Sequence, residues 1–249
     1  MIDIAIPATL RPEVIERTLF SFSKYLFDEA KDIIERVYIN IDPVGITGET
    51  HEVVQTVRKY FPKEKTDIFT PLNASFPKAF WRLFVNSTSD FVFYLEDDWE
   101  LCFPHCLHSM MDLMIENKNL GILRLPWKCT DKTSMKNWKW FFPWNGKYFE
   151  CPEEVKRSVG FCGHPSLING KFIRNAIKYL DVTKNPEKQF HRGHPEIMKQ
   201  VDKYHYGVYG KPNQEAAIVD IGRRWMVNNN LKKAGCKAFF TTWEKNSDA

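Results

Sequence analysis

Phe91-Val-Phe-Tyr-Leu-Glu-Asp-Asp-Trp-Glu100 is the stretch that decides the fold. Phe91 to Leu95 are all apolar and rich in aromatics, the composition of a buried strand. Three acids follow at once: Glu96, Asp97 and Asp98. Inside the strand they would be costly to desolvate. They belong at its carboxyl end, where open α/β sheets bind their ligands. Carboxylates massed there repel one another unless a cation lies between them. Oxygen ligands of this kind suit a hard divalent ion that also binds substrate phosphates.

Strands and helices alternate on both sides of this stretch. Asp3–Pro7 reads as the first strand, followed by Thr9-Leu-Arg-Pro-Glu13 and a periodic run from Val14 to Phe27. Pro12 and Glu13 suit a first helical turn, which tolerates a missing N–H and favours negative charge. Val37-Tyr-Ile-Asn-Ile-Asp42 is a second buried strand ending in an acid. A helix over about 52–61, a short strand at Asp67–Thr70 and a helix over Pro77–Asn86 lead into Phe91. Beyond Trp99 come a helix from about Pro104 to Asn117 and a strand at 121–126. This alternation predicts a mainly parallel, open twisted sheet with helices on both faces.

The later chain is less regular. Between Trp127 and Cys151, Trp127, Trp138, Trp140 and Trp144 interleave with Lys128, Lys132, Lys136 and Lys139. A long aromatic and basic loop of this kind suits a sugar face or stacked bases. Further helices are expected at about 171–180 and 194–204. Tyr204–Gly210 reads as a turn-rich loop, 217–221 as a strand, and Gly222-Arg-Arg-Trp225 as the start of a short helix ending near Ala234.

With 249 residues, 43% hydrophobic and 27% charged, the chain suits a single α/β domain spanning 1–249. Its two halves, 1–123 and 124–249, differ in charge. The first half holds 12 Lys and Arg against 19 Asp and Glu, or −7; the second holds 23 against 12, or +11. A basic half facing an acidic corner suits a polyanionic ligand. No apolar run is long enough to span a membrane, and a strand beginning at Ile2 leaves no signal peptide, so cytoplasmic action is expected. The six cysteines are scattered without a CxxC pair and read as free thiols. Cys102-Phe-Pro-His-Cys-Leu-His108 offers soft ligands, but no second cluster completes a zinc site.

The ordered parts resemble a GT-A fold nucleotide-sugar glycosyltransferase of the broad family-2-like group. Ile4-Ala-Ile-Pro-Ala-Thr-Leu-Arg-Pro12 is similar to that group's nucleotide-binding start, and Asp42 to its acid after the second strand. Phe93-Tyr-Leu-Glu-Asp-Asp98 resembles its DxD metal motif, with Glu-Asp-Asp in place of Asp-x-Asp. Gly163-His-Pro-Ser-Leu-Ile168 resembles its acceptor-side Gly-x-Pro-Ser segment. Asn185-Pro-Glu-Lys-Gln-Phe190 is similar to the segment that carries the base, here without a flanking Asp. The compact single core also resembles transferases of large viruses and phages, which would place it in the host cytoplasm.

The resemblance implies a nucleotide-sugar-binding half, 1–123, and an acceptor-side half, 124–249, with a nucleotide diphosphate sugar donor, a UDP-sugar first, and Mn²⁺ or Mg²⁺ held by Asp98, Glu96 and a late His205. It implies donor contacts from Pro7, Thr9, Arg11, Asp42, Lys78 and Asp97. Glu187 is the first candidate for the catalytic base, with Glu196 and Asp220 behind it. The acceptor would be a glycan, a protein or a hydroxymethylated base in viral DNA. Two other readings compete. A metal-dependent nucleotidyltransferase would carry a Gly-rich, Lys-containing loop after the first strand, and Ala8-Thr-Leu-Arg-Pro12 has no Gly. A non-catalytic nucleic-acid-binding protein explains the basic half but leaves Glu96-Asp97-Asp98 without a use.

Overall fold

The computed structural model describes residues 1–127, 130, 142–159, 161–234 and 243–246. Trp138, Trp140, Lys128, Lys132, Lys136 and Lys139 of the expected aromatic and basic loop lie outside the described residues.

An eight-stranded sheet carries the molecule. Its strands are β1 (Ile2–Ala8), β2 (Ile34–Ile41), β3 (Thr66–Phe69), β4 (Phe91–Tyr94), β6 (Leu120–Arg124), β7 (Phe149–Glu150), β8 (Ser166–Asn169) and β9 (His205–Val208). Their order across the sheet is β3-β2-β1-β4-β8-β6-β9-β7. The pairs β1–β2, β2–β3, β1–β4 and β6–β9 are parallel. β8 runs antiparallel between β4 and β6, and β7 antiparallel on the outer edge. A second, two-stranded antiparallel sheet joins β5 (Trp99–Leu101) to β10 (Ile218–Asp220).

Strand alternation divides the core between two faces. Ile4 and Ile6 of β1, with Phe91, Phe93 and Leu95, pack against α1 (Pro12–Phe22), α2 (Thr50–Tyr60) and α4 (Leu107–Glu116). Ala5, Val92 and Tyr94 point the other way. They meet α3 (Phe76–Asn86), α6 (Gly170–Ile177), α7 (Pro186–Arg192) and α8 (Pro195–Lys203). The remaining helices are α5 (Glu153–Val159) and α9 (Ile221–Asn228). The expected mainly parallel sheet, covered on both faces, is therefore present.

Several local expectations differ. Tyr204–Gly210 is not a loop: His205–Val208 is strand β9, where Tyr206 is fully buried and faces Ile122 in the register. Pairing partners distant in sequence override the turn composition there. Ser166–Asn169 supplies the antiparallel β8, which its Gly-Pro surroundings concealed. α1 ends at Phe22 and continues through a single wide turn, Ser23–Phe27. α4 begins at Leu107, because Cys106 caps it through its Sγ and the Ser109 N–H. Asn185–Phe190 is the start of a helix, capped by Asn185 with Pro186 in the first turn.

Candidate active site

β1, β2 and β4 end on the same edge because they are parallel, and the loops that follow them converge there. β1 hands over to Thr9 and Arg11, whose positions are fixed by Asp97. The Thr9 N–H and hydroxyl donate to Asp97 Oδ2 at 2.8 and 2.9 Å. Arg11 Nη2 donates to Asp97 Oδ1 at 2.7 Å, and Arg11 Nε to Thr9 Oγ1 at 2.8 Å. The Thr18 hydroxyl closes on the Asp97 carbonyl at 2.8 Å. Asp97 is 4% exposed and Arg11 also 4%. Asp97 and Arg11, expected as donor contacts, pair with each other inside the protein. Pro7 is buried within β1 opposite Asn40.

Asp98 stands differently. Its Oδ2 lies 3.2 Å from Arg11 Nη2, and its carbonyl accepts from the Ile221 N–H at 2.9 Å, at the start of α9. Gly222 is there because a Cβ would collide with the Asp98 carboxylate. Burial pushes the Asp98 carboxyl up to about 6, against the pull of Arg11. Asp220 also acts to raise it, and caps α9 through the Arg223 N–H.

Glu96 packs on Gly163, where a Cβ would again strike the carboxylate. The Tyr94 hydroxyl donates to Glu96 Oε1 at 3.1 Å. Burial first, then Asp98 and Glu187, hold the Glu96 carboxyl far above the usual carboxylate range. Glu187, in the first turn of α7, accepts the Gly163 N–H on Oε1 at 2.6 Å. Its own carboxyl is raised by burial and by the nearby Cys162. Glu96, Asp98 and Glu187 thus form one electrostatic cluster, assembled from β4, α7 and the segment before β8.

Asp42 ends β2 in a second, adjoining corner. Its oxygens accept from Asn40 Nδ2 at 2.8 Å and from the Ser75 N–H at 3.0 Å. Arg82 of α3 bonds Asn40 Oδ1 and lies over the Phe69 ring. Burial raises the Asp42 carboxyl, against both hydrogen bonds. Lys78 is exposed in the first turn of α3, where its N–H faces the Ser75 cap at 3.4 Å.

Two expected residues lie elsewhere. His205 begins β9 at the level of Leu120, on the amino edge of the sheet, with its Nδ1 3.5 Å from both Glu150 and Glu153. Because β9 runs parallel to β6 and β4, that end is opposite the acids, so His205 is not placed to share a metal with Asp98. Glu196 begins α8 and pairs with Lys199 one turn along the same helix. Lys199, His194 and Lys203 draw its carboxyl down, and it takes no part in the acid cluster.

Sequence reasoning missed Arg124, Cys162 and His164. Arg124 Nη1 lies 3.0 Å from Cys162 Sγ. Although burial opposes it, Arg124 and then His164 bring the Cys162 thiol down to about 5. The His164 ring sits 5.0 Å from Trp99 and 5.2 Å from Trp127. The adjacency Cys162-Gly-His164 was the available signal, but only the fold brings Arg124 to it.

Among the described residues no group of three His, Cys, Asp or Glu is arranged to hold a metal ion by itself. Asp98 and Glu96 nevertheless fit a hard divalent ion. They are crowded, half-buried oxygen donors whose carboxyls are raised, by burial first, and Mg²⁺ in such sites takes one or two carboxylates and completes its shell with phosphates.

The comparisons bear on this arrangement. No protein-family model and no curated protein matches the sequence. The structure is similar to S. aureus TarS 1-349 in complex with UDP, at TM-score 0.57 and 12% identity, over 87% of this chain and 59% of that one. The complex of TarS 1-349 with UDP-GlcNAc gives 0.54 and 15%, over 87% and 60%. The longer TarS crystal structure gives 0.56 and 12%, over 85% and 35%. This chain has a GT-A fold. It spans less than two thirds of the TarS chains it resembles. In the GT-A fold seen here, the acid cluster and the Asp42 corner share one edge. No described helix is long and apolar enough to cross a membrane.

Proposed function

We propose that the chain is a glycosyltransferase that moves a sugar from a nucleotide diphosphate sugar, a UDP-sugar first, to an acceptor hydroxyl. The observation that carries this reading is the half-buried Glu96–Asp98–Glu187 cluster at the carboxyl edge of β4, beside the Asp42 corner. The likeness to TarS solved with UDP and UDP-GlcNAc supports the donor class. Asp42, with Asn40 and Arg82 behind it, is the residue to receive the nucleoside. Asp98 and Glu96 would hold Mn²⁺ or Mg²⁺, which when bound neutralises the leaving diphosphate as a Lewis acid.

Glu187 acts as the base. The acceptor oxygen attacks the anomeric carbon, the bond from that carbon to the diphosphate oxygen breaks, and the hydroxyl proton passes to the Glu187 carboxylate. Its raised carboxyl is better matched to that transfer than an ordinary glutamate. The Gly163 N–H fixes one Glu187 oxygen and leaves the other for the acceptor. An attack opposite the leaving group inverts the anomeric centre. The acceptor is a glycan or a hydroxymethylated base of viral DNA, the latter supported by the +11 second half, and action in the cytoplasm belongs to the same proposal.

Calorimetry with UDP, GDP, CDP and TDP, each with Mn²⁺ and with chelator, tests the reading. UDP binding only with metal is expected; no nucleotide binding under either condition would return weight to a nucleic-acid-binding protein. Glu187→Gln should keep UDP affinity within about threefold and lower turnover by at least about 10²-fold. Turnover near that of the unchanged chain would remove Glu187 as the base.

A further inference from the structure

Arg11 does not stand alone beside Asp97 and Asp98. Its guanidinium carbon lies 5.4 Å from the centre of the Trp225 ring and 4.9 Å from that of Trp243. The two indoles meet nearly edge to face, 5.4 Å apart at 77°. Trp225 belongs to α9, is 6% exposed, and donates its Nε1–H to Glu13 Oε1 of α1 at 2.6 Å. Trp243 begins β12 (Trp243–Lys245), which pairs antiparallel with β11 (Leu231–Lys233) through Lys233. Its buried Nε1 has no hydrogen-bond partner among the described residues. The polar handle of Trp243 is thus unused, and what the residue presents to Arg11 is its ring. A cation against aromatic faces is attracted by the ring quadrupole, more strongly where water is excluded.

We propose that Arg11 is the positioning residue of the acidic corner, and that Trp225 and Trp243 clamp it, so that the β11–β12 strand pair is a working part of the donor site. The chain of contacts is continuous. The indoles fix the guanidinium, the guanidinium fixes Asp97 and the near oxygen of Asp98, and Asp97 fixes Thr9 and the turn after β1. With the clamp closed, Arg11 keeps Asp97 as its firm partner at 2.7 Å and holds Asp98 more loosely at 3.2 Å. That difference leaves Asp98 oriented and free to take a further ligand. Without the clamp, the guanidinium has no reason to stop short of a full pair with Asp98. The importance of Asp98 to the donor rests on the proposed function; the clamp itself does not.

The test uses the full chain in five forms: unchanged, Trp243→Leu, Trp243→Phe, Arg11→Lys, and Trp243→Leu combined with Arg11→Lys. The first readout needs no nucleotide. Arg11 Nε–H is tied to Thr9 Oγ1 at 2.8 Å, so it exchanges slowly and is visible by ¹⁵N NMR, assigned by its loss in Arg11→Lys. Its position should carry a ring-current shift that loses the Trp243 share in Trp243→Leu, with the Trp225 share remaining, and keeps most of it in Trp243→Phe. An Arg11 resonance indifferent to Trp243→Leu overturns the clamp. The second readout is UDP affinity with Mn²⁺. Trp243→Leu should weaken it about tenfold, Trp243→Phe should restore most of that, and Trp243→Leu combined with Arg11→Lys should be no worse than Arg11→Lys alone. Losses that add would make the strand pair merely structural and overturn the proposal. Failure of the unchanged chain to bind UDP would count against the proposed function, and the NMR result would still decide the clamp.

Discussion

Asp97 accepts hydrogen bonds from Thr9 and Arg11, whereas its neighbour Asp98 has one looser contact with Arg11 and faces Gly222. Removing one partner of a buried ion pair leaves the other uncompensated, at a cost of about 3–5 kcal/mol. Asp97→Ala should therefore lower stability by about that amount in urea denaturation. Asp98→Ala should change stability by less than about 1 kcal/mol, since it removes a carboxylate whose ionisation burial opposes. It should nevertheless abolish metal-dependent UDP binding in the calorimeter; unchanged affinity would remove Asp98 from the donor site. The same local accounting separates the thiols. Cys162 is drawn down to about 5 by Arg124 and His164, while burial pushes Cys151 up to about 12. A lowered thiol is ionised above its own pKa. Iodoacetamide at pH 6 should accordingly alkylate Cys162 and leave Cys151 untouched, with the Cys162 rate falling as pH drops through about 5. Mass spectrometry after digestion reads both, and a Cys162 rate still rising steeply from pH 7 to 9 would contradict the assignment.

Elements, not single residues, bring the acids together. The segment after β4 delivers Glu96 and Asp98, α7 delivers Glu187, and α9 approaches Asp98 through its first turn. Two glycines permit those approaches, since neither Gly163 nor Gly222 has room for a Cβ beside its carboxylate. Overpacking a closed site typically costs about 1–3 kcal/mol. Gly163→Ala should lower thermal stability by a corresponding amount and reduce turnover more than UDP affinity, because it displaces Glu96 and the N–H that holds Glu187. Gly222→Ala should do the reverse, weakening UDP affinity first through Asp98. Equal effects of the two substitutions on both parameters would mean that the loops around the site yield together and that the acids have no separate supports.

Across the whole molecule, the sheet keeps two cores apart while joining their edges at the site. The second core is an aromatic cluster. Phe161 lies 5.0 Å from Phe80, 5.7 Å from Tyr94 and 5.0 Å from Phe190, and is 1% exposed. It stands directly before Cys162 and Gly163, so the packing of α3, α7 and β4 sets where Gly163 presents its N–H. Phe161→Ala should cost about 3–5 kcal/mol in urea denaturation. It should also lower turnover at temperatures where the protein remains folded, since the segment holding Glu187 loses its anchor. Full turnover in a destabilised but folded Phe161→Ala protein would uncouple the core from the site.

The sequence by itself determined the alternation of strands and helices over the first half, the burial of Phe91–Leu95, and the position of Glu96-Asp97-Asp98 at the strand's end. Those features are local: apolar run length, period and turn composition are written within a few residues of one another. It also singled out Asp42, Glu187 and the Gly163 segment through their order. Only the tertiary structure decided that Asp97 is an internal anchor while Asp98 stays available, because adjacent residues look alike until their partners, 86 and 87 positions away, are known. It alone sent His205 to the opposite edge, since the direction of β9 depends on its pairing with β6, and it turned Tyr204–Gly210 from loop into strand for the same reason. The Arg124–Cys162 contact and the Trp225–Arg11–Trp243 stack likewise join segments with no local signal of each other. Such contacts are set by long-range packing, whose energy exceeds the local preferences that a sequence displays.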